Sequence, residues 1–185
     1  MKSTSYCMIL FLLSTAFTFG QDKCKYEKNE TDDFTGKKHI VVKPRIYSSN
    51  STFDSQFKLK LEDGQYKLWA YFEIAGNQAD QLSISKEQEL IMLLNNSETV
   101  KLVPVESRDG KTLTINGILY KYEFQISNDY LIDSTQIDKF KSNELKAVRV
   151  NYTKSNGEKR SVDYKAEKDK MNILQEMINC IENSN

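Results

Sequence analysis

The feature of this sequence that most limits its fold is the alternation of apolar and polar side chains with a period of two residues. Residues 57–61 read Phe-Lys-Leu-Lys-Leu, which predicts a strand with one buried face. Residues 65–74 carry apolar side chains on both faces, so we expect a central strand there. The Asp63-Gly64 pair between the two segments favours a tight turn, because glycine accepts positive φ.

Similar patterns predict strands along most of the remaining chain, at residues 39–42, 45–47, 82–84, 89–94, 100–105, 113–126, 145–152 and 160–164. Pro44 denies a ladder hydrogen bond and indicates an edge or a bend. Asp109-Gly110 predicts a second hairpin, and Asn116-Gly117 indicates a turn or a bulge. The sequence Ser-Asn-Gly at 155–157 closes the clearest hairpin.

Two helices are expected in the last third of the chain. Ser134 can cap a short helix at residues 135–140, because its hydroxyl accepts a backbone hydrogen bond. Residues 167–181 place apolar side chains, such as Met171 and Ile178, at helical spacing, which predicts an amphipathic helix. The sequence therefore predicts a mainly β fold, an antiparallel sandwich or a barrel-like meander, with a C-terminal amphipathic helix and some α+β character.

The first twenty residues predict a secretory signal peptide. Lys2 precedes an apolar run at residues 6–17, which is too short to span a bilayer, and small residues follow it. Thr18 and Gly20 suit cleavage before Gln21; an earlier cut after Ala16 and an uncleaved anchor are the alternatives. We expect residues 21–37 to form an N-terminal arm and residues 38–185 a single β-rich domain with a terminal helix.

Removal of the signal peptide would leave two of the three cysteines, Cys24 and Cys180. An even count in an exported protein predicts one structural disulfide, and chain ends often lie close together at a domain surface. Two free thiols or a redox pair are the alternatives, although the sequence has no CxxC motif. Neither Cys7 nor Cys24 stands where a lipoprotein signal needs its cysteine. We therefore expect a soluble protein of the periplasm or the extracellular space, without a lipid anchor or a membrane span in the mature chain.

Composition excludes several function classes. Lysine and arginine number 26 against 26 acidic residues, so the chain lacks the basic excess of a nucleic-acid-binding protein. A single histidine, His39, excludes His-pair metal sites and HExxH peptidases, and no GxSxG motif accompanies it. No P-loop, GxGxxG or zinc-type cysteine pattern is present. We therefore predict no cofactor.

Carboxylates leave two chemical alternatives open. A pair of acids could hydrolyse glycosides, and the candidates are Asp32, Asp33, Asp80, Glu106, Asp133 and Asp138. Asn128, Asp129, Asp133 and Asp138 form the best local oxygen-ligand cluster for calcium, but they lack EF-hand spacing. A turn followed by a helix cap explains that cluster better. The sequence alone selects no pair, so no catalytic or metal-binding residue is assigned.

Residues 24–38, which begin at Cys24 and contain Asp-Asp-Phe-Thr-Gly-Lys, resemble the start of small exported proteins common in Bacteroidota. Residues 137–142 and 148–150 resemble later parts of the same proteins. The resemblance implies export to the envelope and a β-rich fold. It carries no activity and no catalytic residue.

These observations favour an exported, non-enzymatic β-rich domain with a binding or interaction role in the cell envelope, whose partner is an unknown ligand or an envelope protein. The alternatives are a small carboxylate-dependent hydrolase and a lipocalin-like carrier of an apolar ligand. The aromatic stripe at residues 120–124 is more typical of a core than of a ligand platform. Sequons stand at Asn29, Asn50, Asn95 and Asn151.

Overall fold

The structure is a computed structural model that describes residues 24–49, 54–76, 81–114 and 122–184. The predicted signal peptide, the Asn116-Gly117 signal, Asn50, Asp80 and residues 120 and 121 of the aromatic stripe lie outside the described residues.

Within the described ranges the chain forms thirteen strands, which are β1 (Tyr26–Thr31), β2 (Lys38–Val42), β3 (Arg45–Ser49), β4 (Asp54–Glu62), β5 (Gln65–Gly76), β6 (Leu82–Ile84), β7 (Leu90–Leu94), β8 (Thr99–Leu102), β9 (Arg108–Asp109), β10 (Lys111–Thr114), β11 (Tyr122–Ile132), β12 (Leu145–Lys154) and β13 (Lys159–Lys165). Two helices are α1 (Ser134–Ser142) and α2 (Ile173–Glu182), and a short 3₁₀ turn covers Lys168–Lys170.

The strands build two antiparallel sheets. The first sheet has the order β1-β2-β4-β5-β11-β10, with β3 also paired to β4. The second has the order β8-β7-β12-β6-β9, with β13 paired to β12. Buried side chains of both sheets and both helices form one hydrophobic core. The predicted mainly β, sandwich-like fold with a terminal helix is therefore confirmed.

Local turn signals explain several of these connections. Asp63 and Gly64 both adopt positive φ, 53° and 78°, and close the hairpin in which Glu62 pairs with Gln65. Gly157, with φ of 82°, lies in the turn that joins β12 to β13. Both predicted hairpins are confirmed. Pro44 separates β2 from β3, which both pair with β4, so it marks the predicted bend.

The interior is filled by large side chains that connect the two sheets. Consecutive ring centroids lie 4.9, 6.2 and 5.2 Å apart along the series Tyr47, Phe57, Phe72 and Tyr164. The Tyr164 hydroxyl of the second sheet donates to the carbonyl oxygen of Glu73 in the first, at 2.6 Å. Burial raises the pKa of Tyr164, as expected for a phenol that stays neutral in the core. Phe124, at the end of the predicted aromatic stripe, is also buried.

Four predictions differ from the structure. Residues 26–31 of the expected loose arm form strand β1, because their backbone pairs with β2. The cap of α1 is Asp133 rather than Ser134, since the Asp133 carboxylate accepts from the Gln136 amide at 2.8 Å. The terminal helix begins at Ile173, after the 3₁₀ turn, rather than at residue 167. Asp109-Gly110 closes no hairpin, because β9 and β10 belong to different sheets.

The two ends of the described chain meet beside α2. The Sγ atoms of Cys24 and Cys180 lie 2.02 Å apart and form a disulfide, as the cysteine count predicts. The Tyr26 hydroxyl donates to the Cys180 carbonyl oxygen at 2.8 Å, and Arg45 pairs with Glu176 at 2.5 Å. These contacts fix α2 against β1 and β3. None of the helices in the described part of the chain has the length and hydropathy needed to cross a bilayer.

Candidate functional site

The central strand β5 presents its two largest outward side chains to solvent. Its period of two buries Leu68, Ala70 and Phe72 between the sheets and turns Trp69 and Tyr71 outward, where both are half-buried. Trp69 is the only tryptophan of the chain. Large aromatic side chains that are not fully buried are common anchors of binding surfaces, so this face is a candidate binding surface.

Three aliphatic side chains extend this surface. Pro104 forms an antiparallel bridge with Tyr130, and the Val105 amide donates to the Asp129 carbonyl oxygen at 2.7 Å. The connection between β8 and β9 therefore runs along β11, and it brings Val103 and Val105 beside Leu131. Their exposed fractions are 51%, 38% and 40%. We call Trp69, Tyr71, Val103, Val105 and Leu131 the aromatic face.

Trp69 is held by its neighbours. The Lys58 ammonium lies 4.9 Å from the centroid of the indole ring, and Lys58 pairs with Trp69 across β4 and β5. The Tyr71 ring stacks beside the Trp69 indole, with an interplanar angle of 15° and a distance of 6.0 Å between the ring centroids. A cation that covers one face of an indole removes that face as a stacking platform for a sugar. The arrangement therefore favours contact with side chains over stacking with a sugar ring.

The lysines around the aromatic face are neutralised by carboxylates. Nζ–carboxylate distances are 2.9 Å for Lys58–Glu27, 2.7 Å for Lys60–Asp129 and 3.0 Å for Lys67–Glu62. Lys67, through a side-chain hydrogen bond, holds the pKa of Glu62 below its usual value. The Lys60–Asp129 contact is an ion pair by distance, and Asp129 Oδ1 has no hydrogen bond of good geometry among the described residues. Asp129 pairs with Trp69 across β5 and β11, so the neutralised Lys60–Asp129 ion pair lies between Trp69 and the aliphatic side chains of the face.

Glu73 orders the other end of the face. Its Oε1 accepts from the Tyr71 hydroxyl at 2.7 Å, and its Oε2 accepts from the Asp54 backbone amide at 3.0 Å. Because Tyr71 donates to a fixed acceptor, its ring orientation is set before any partner arrives.

A buried amide positions the aliphatic part of the face. Asn128 points into the core with 1% of its surface exposed, and its Nδ2 donates to the Glu106 carbonyl oxygen at 2.7 Å. Within the described residues its Oδ1 has no hydrogen-bond partner. One hydrogen bond from β11 therefore fixes the connection that carries Val103 and Val105.

Except for Asp133 and Asp138, which line one open surface pocket, the described candidate catalytic residues lie in separate parts of the fold. His39 is half-buried on β2 opposite Glu30, and both cysteines of the described chain are in the disulfide. Asp32 closes the loop between β1 and β2, Glu106 pairs with Arg108, and Asp133 caps α1. Asp138 lies with Asp63 and Asp133 in the lining of an open surface pocket between α1 and the β4–β5 turn.

The carboxyl groups whose pKa values shift clearly are all shifted downward. Hydrogen bonds from Thr35 lower the pKa of Asp32, the Thr135 hydroxyl lowers that of Asp133, and Arg149 lowers that of Asp163. Each of these shifts has a structural partner as its cause. A general acid of the hydrolase alternative needs a raised pKa, so these residues do not fit that role.

The predicted calcium cluster is divided by strand geometry. Asn128 faces the core, Asp129 faces outward beside Lys60, and Asp133 caps α1. Among the described residues there is no group of three or more His, Cys, Asp or Glu side chains placed to hold a metal ion.

Two described sequons are exposed, at Asn29 on β1 and Asn95 in the β7–β8 turn. The third, Asn151, is half-buried and donates through Nδ2 to the Glu89 carbonyl oxygen at 2.8 Å. Its amide is therefore engaged in the sheet.

Sequence reasoning found Trp69 and Tyr71 on one face of a strand but missed the aliphatic residues beside them. In the sequence, only the valines that flank Pro104 indicate this exposure, because a proline interrupts a strand and can leave neighbouring side chains uncovered. Comparison of the chain with family models, with curated proteins and with solved structures gave no match.

Proposed function

We propose that this chain is an exported interaction domain that binds a protein partner through the aromatic face. The single observation that carries the proposal is that the exposed Val103, Val105 and Leu131 lie on the same outer face of the first sheet as Trp69 and Tyr71. Aromatic anchors and exposed aliphatic side chains among neutralised charges are common in protein–protein interfaces.

The three lysine–carboxylate ion pairs of the aromatic face favour a protein partner over a charged polymer. Lys58, Lys60 and Lys67 each have a carboxylate partner, so the face carries no excess charge. A polyanion would have to displace those carboxylates before it could bind. The Lys58 ammonium above the indole ring argues against a stacked sugar for a similar reason.

Preorganisation also supports a binding role. Glu73 fixes Tyr71, and Asn128 fixes the β8–β9 connection, so little conformational freedom would be lost when a partner covers the face. The predicted signal peptide and the disulfide favour a partner in the envelope or outside the cell.

Site-specific photo-cross-linking in the native host tests this proposal. A photoreactive phenylalanine replaces Leu131, and the matched control places it at Ile46, which is exposed to a similar extent, 44% against 40%, but lies on β3. The expected result is one discrete protein adduct from position 131, its loss when Trp69→Ala is added, and none from position 46. Equal adducts from both positions, or no adduct from position 131, would contradict the proposal.

The hydrolase alternative predicts a different outcome. It would leave position 131 without an adduct, and a variant such as Asp138→Asn would then abolish activity on a glycoside panel while folding stays intact.

A further inference from the structure

Phe34 is the most exposed large apolar side chain of the described residues, with 99% of its surface accessible. It lies in the loop between β1 and β2, whose sequence is Asp-Asp-Phe-Thr-Gly at residues 32–36. An isolated apolar side chain at a surface is common, but one that a rigid loop holds fully in solvent can act as an anchor.

The loop is rigid because Asp32 organises it. Its Oδ1 accepts from the Phe34 amide at 3.0 Å, from the Thr35 amide at 2.7 Å and from the Thr35 hydroxyl at 2.9 Å. The Gly36 amide donates to the Asp32 carbonyl oxygen at 2.8 Å, and Gly36 adopts φ of 67°. The Asp33 carboxylate beside Phe34 is exposed and has no hydrogen bond or ion pair in the described part of the chain. The loop therefore presents an aromatic ring together with a free negative charge.

A pocket of suitable size lies on the opposite side of the sandwich. Ile91, Leu93 and Ala147 turn outward from the second sheet and line a surface pocket of about 180 Å³, together with Thr99. A protein cavity of about 150 Å³ accommodates benzene, so the pocket can take a phenyl ring. We call it the aliphatic pocket.

The charges around the aliphatic pocket are opposite in sign to that of the loop. Arg149 binds Asp163 through two hydrogen bonds of 2.7 Å, so that carboxylate is already neutralised. Lys165 pairs with Ala147 across β12 and β13, and Lys146 is exposed beside it at the strand irregularity. Neither lysine has a carboxylate at ion-pair distance among the described residues. The pocket thus has a positively charged border on the side of β13.

We infer that the aliphatic pocket binds the Phe34 loop of a second copy of this chain, with the Asp33 carboxylate against Lys146 and Lys165. The loop and the pocket lie on different parts of the molecule, so the contact is heterologous. Each copy keeps one free loop and one free pocket, and association continues head to tail. The aromatic face takes no part in this contact and stays open for the partner proposed above.

Sedimentation velocity of the purified protein across a concentration series tests the inference. The expected result is a sedimentation coefficient that rises with concentration at low salt and rises less at high salt, because salt screens the exposed charges. Phe34→Ala should weaken association about tenfold or more, since it removes one buried aromatic side chain. A Trp69→Ala variant should associate like the parent protein.

A mixing experiment separates this contact from a symmetric dimer. Phe34→Ala keeps the pocket and loses the ring, whereas Ala147→Arg keeps the ring and blocks the pocket. Each variant alone should stay monomeric, and an equimolar mixture should form a dimer that grows no further. The charge-reversal variant Asp33→Lys should associate weakly, and adding Lys165→Glu to it should restore association.

Three results would overturn the inference. The first is a parent protein that stays monomeric at every concentration. The second is a Phe34→Ala variant that associates as strongly as the parent. Binding of a monomeric parent to phosphatidylglycerol vesicles, lost in Phe34→Ala, would assign the ring to a bilayer instead. Far-UV circular dichroism of each variant, and Trp69 fluorescence of those that keep Trp69, establish that it is folded.

Discussion

Removal of the Cys24–Cys180 disulfide should lower the free energy of unfolding by about 5 kcal/mol at 25 °C, according to the loop-entropy relation for a crosslink of this length. The two cysteines are 156 residues apart in sequence, so the bridge closes nearly the whole described chain into one loop. With a urea m-value of about 2 kcal/mol/M, the unfolding midpoint should fall by about 2.5 M.

Most of this loss acts through the unfolded chain. In the folded protein α2 keeps the Arg45–Glu176 ion pair and the hydrogen bond from Tyr26 to the Cys180 carbonyl oxygen, so a double alanine variant retains its native contacts there. The assay is urea unfolding of the oxidised protein, the reduced protein and the Cys24→Ala/Cys180→Ala variant, followed by Trp69 fluorescence and circular dichroism. The two forms without the bridge should agree with each other.

Mass spectrometry before and after reduction, which should show a gain of two hydrogens, first establishes that the bridge is present. A loss of stability below about 1 kcal/mol in both the reduced protein and the variant would refute the entropic reasoning. A loss confined to the variant would instead point to the volume of the missing sulfur atoms, because reduction leaves that volume in place.

Other residues give three further expectations. Asn128→Ala should destabilise the protein by about 1 kcal/mol and speed amide exchange in the β8–β9 connection, because it removes the side-chain hydrogen bond to the Glu106 carbonyl oxygen; urea unfolding and hydrogen exchange measure the two effects. Lys58→Ala should increase acrylamide quenching of Trp69, since the ammonium no longer covers one ring face. The free energy of unfolding should fall as pH drops below about 3.9 and then through the lowered pKa of Asp163. The carboxyl of the unfolded chain binds its proton first, and the contact with Arg149 is lost when the folded carboxyl is protonated. Asp163→Asn should flatten the pH dependence of the urea midpoint.

The comparison of two glycine turns shows which parts of the fold are local in origin. Asp63-Gly64 and Gly157 form turns whose positive φ values follow from their own residues, and sequence reasoning placed both hairpins correctly. Asp109-Gly110 carries the same signal, but the Gly110 amide donates to the Leu82 carbonyl oxygen at 2.7 Å. The chain there passes from one sheet to the other, and that passage is decided by distant strands that local residues do not specify.

The candidate site divides in the same way. Trp69 and Tyr71 share one face because of the period of a strand, so the sequence predicts that much, but it does not predict which face is exposed. The exposure of Val103 depends on the bridge between Pro104 and Tyr130, which joins residues far apart in the chain. Sequence patterns indicate which residues share a face, whereas exposure depends on which distant segment covers that face.

The two outer faces of the sandwich use lysine differently, and this difference bears on their roles. On the first sheet Lys58, Lys60 and Lys67 each lie at ion-pair distance from a carboxylate, so we expect the proposed partner to bind the aromatic face through apolar contact and little through charge. On the second sheet Lys146 and Lys165 border an apolar pocket without such partners. Since salt screens exposed charges, association through the second face should weaken with ionic strength while association through the first should not. One salt series on the parent protein therefore assigns each binding event to its face.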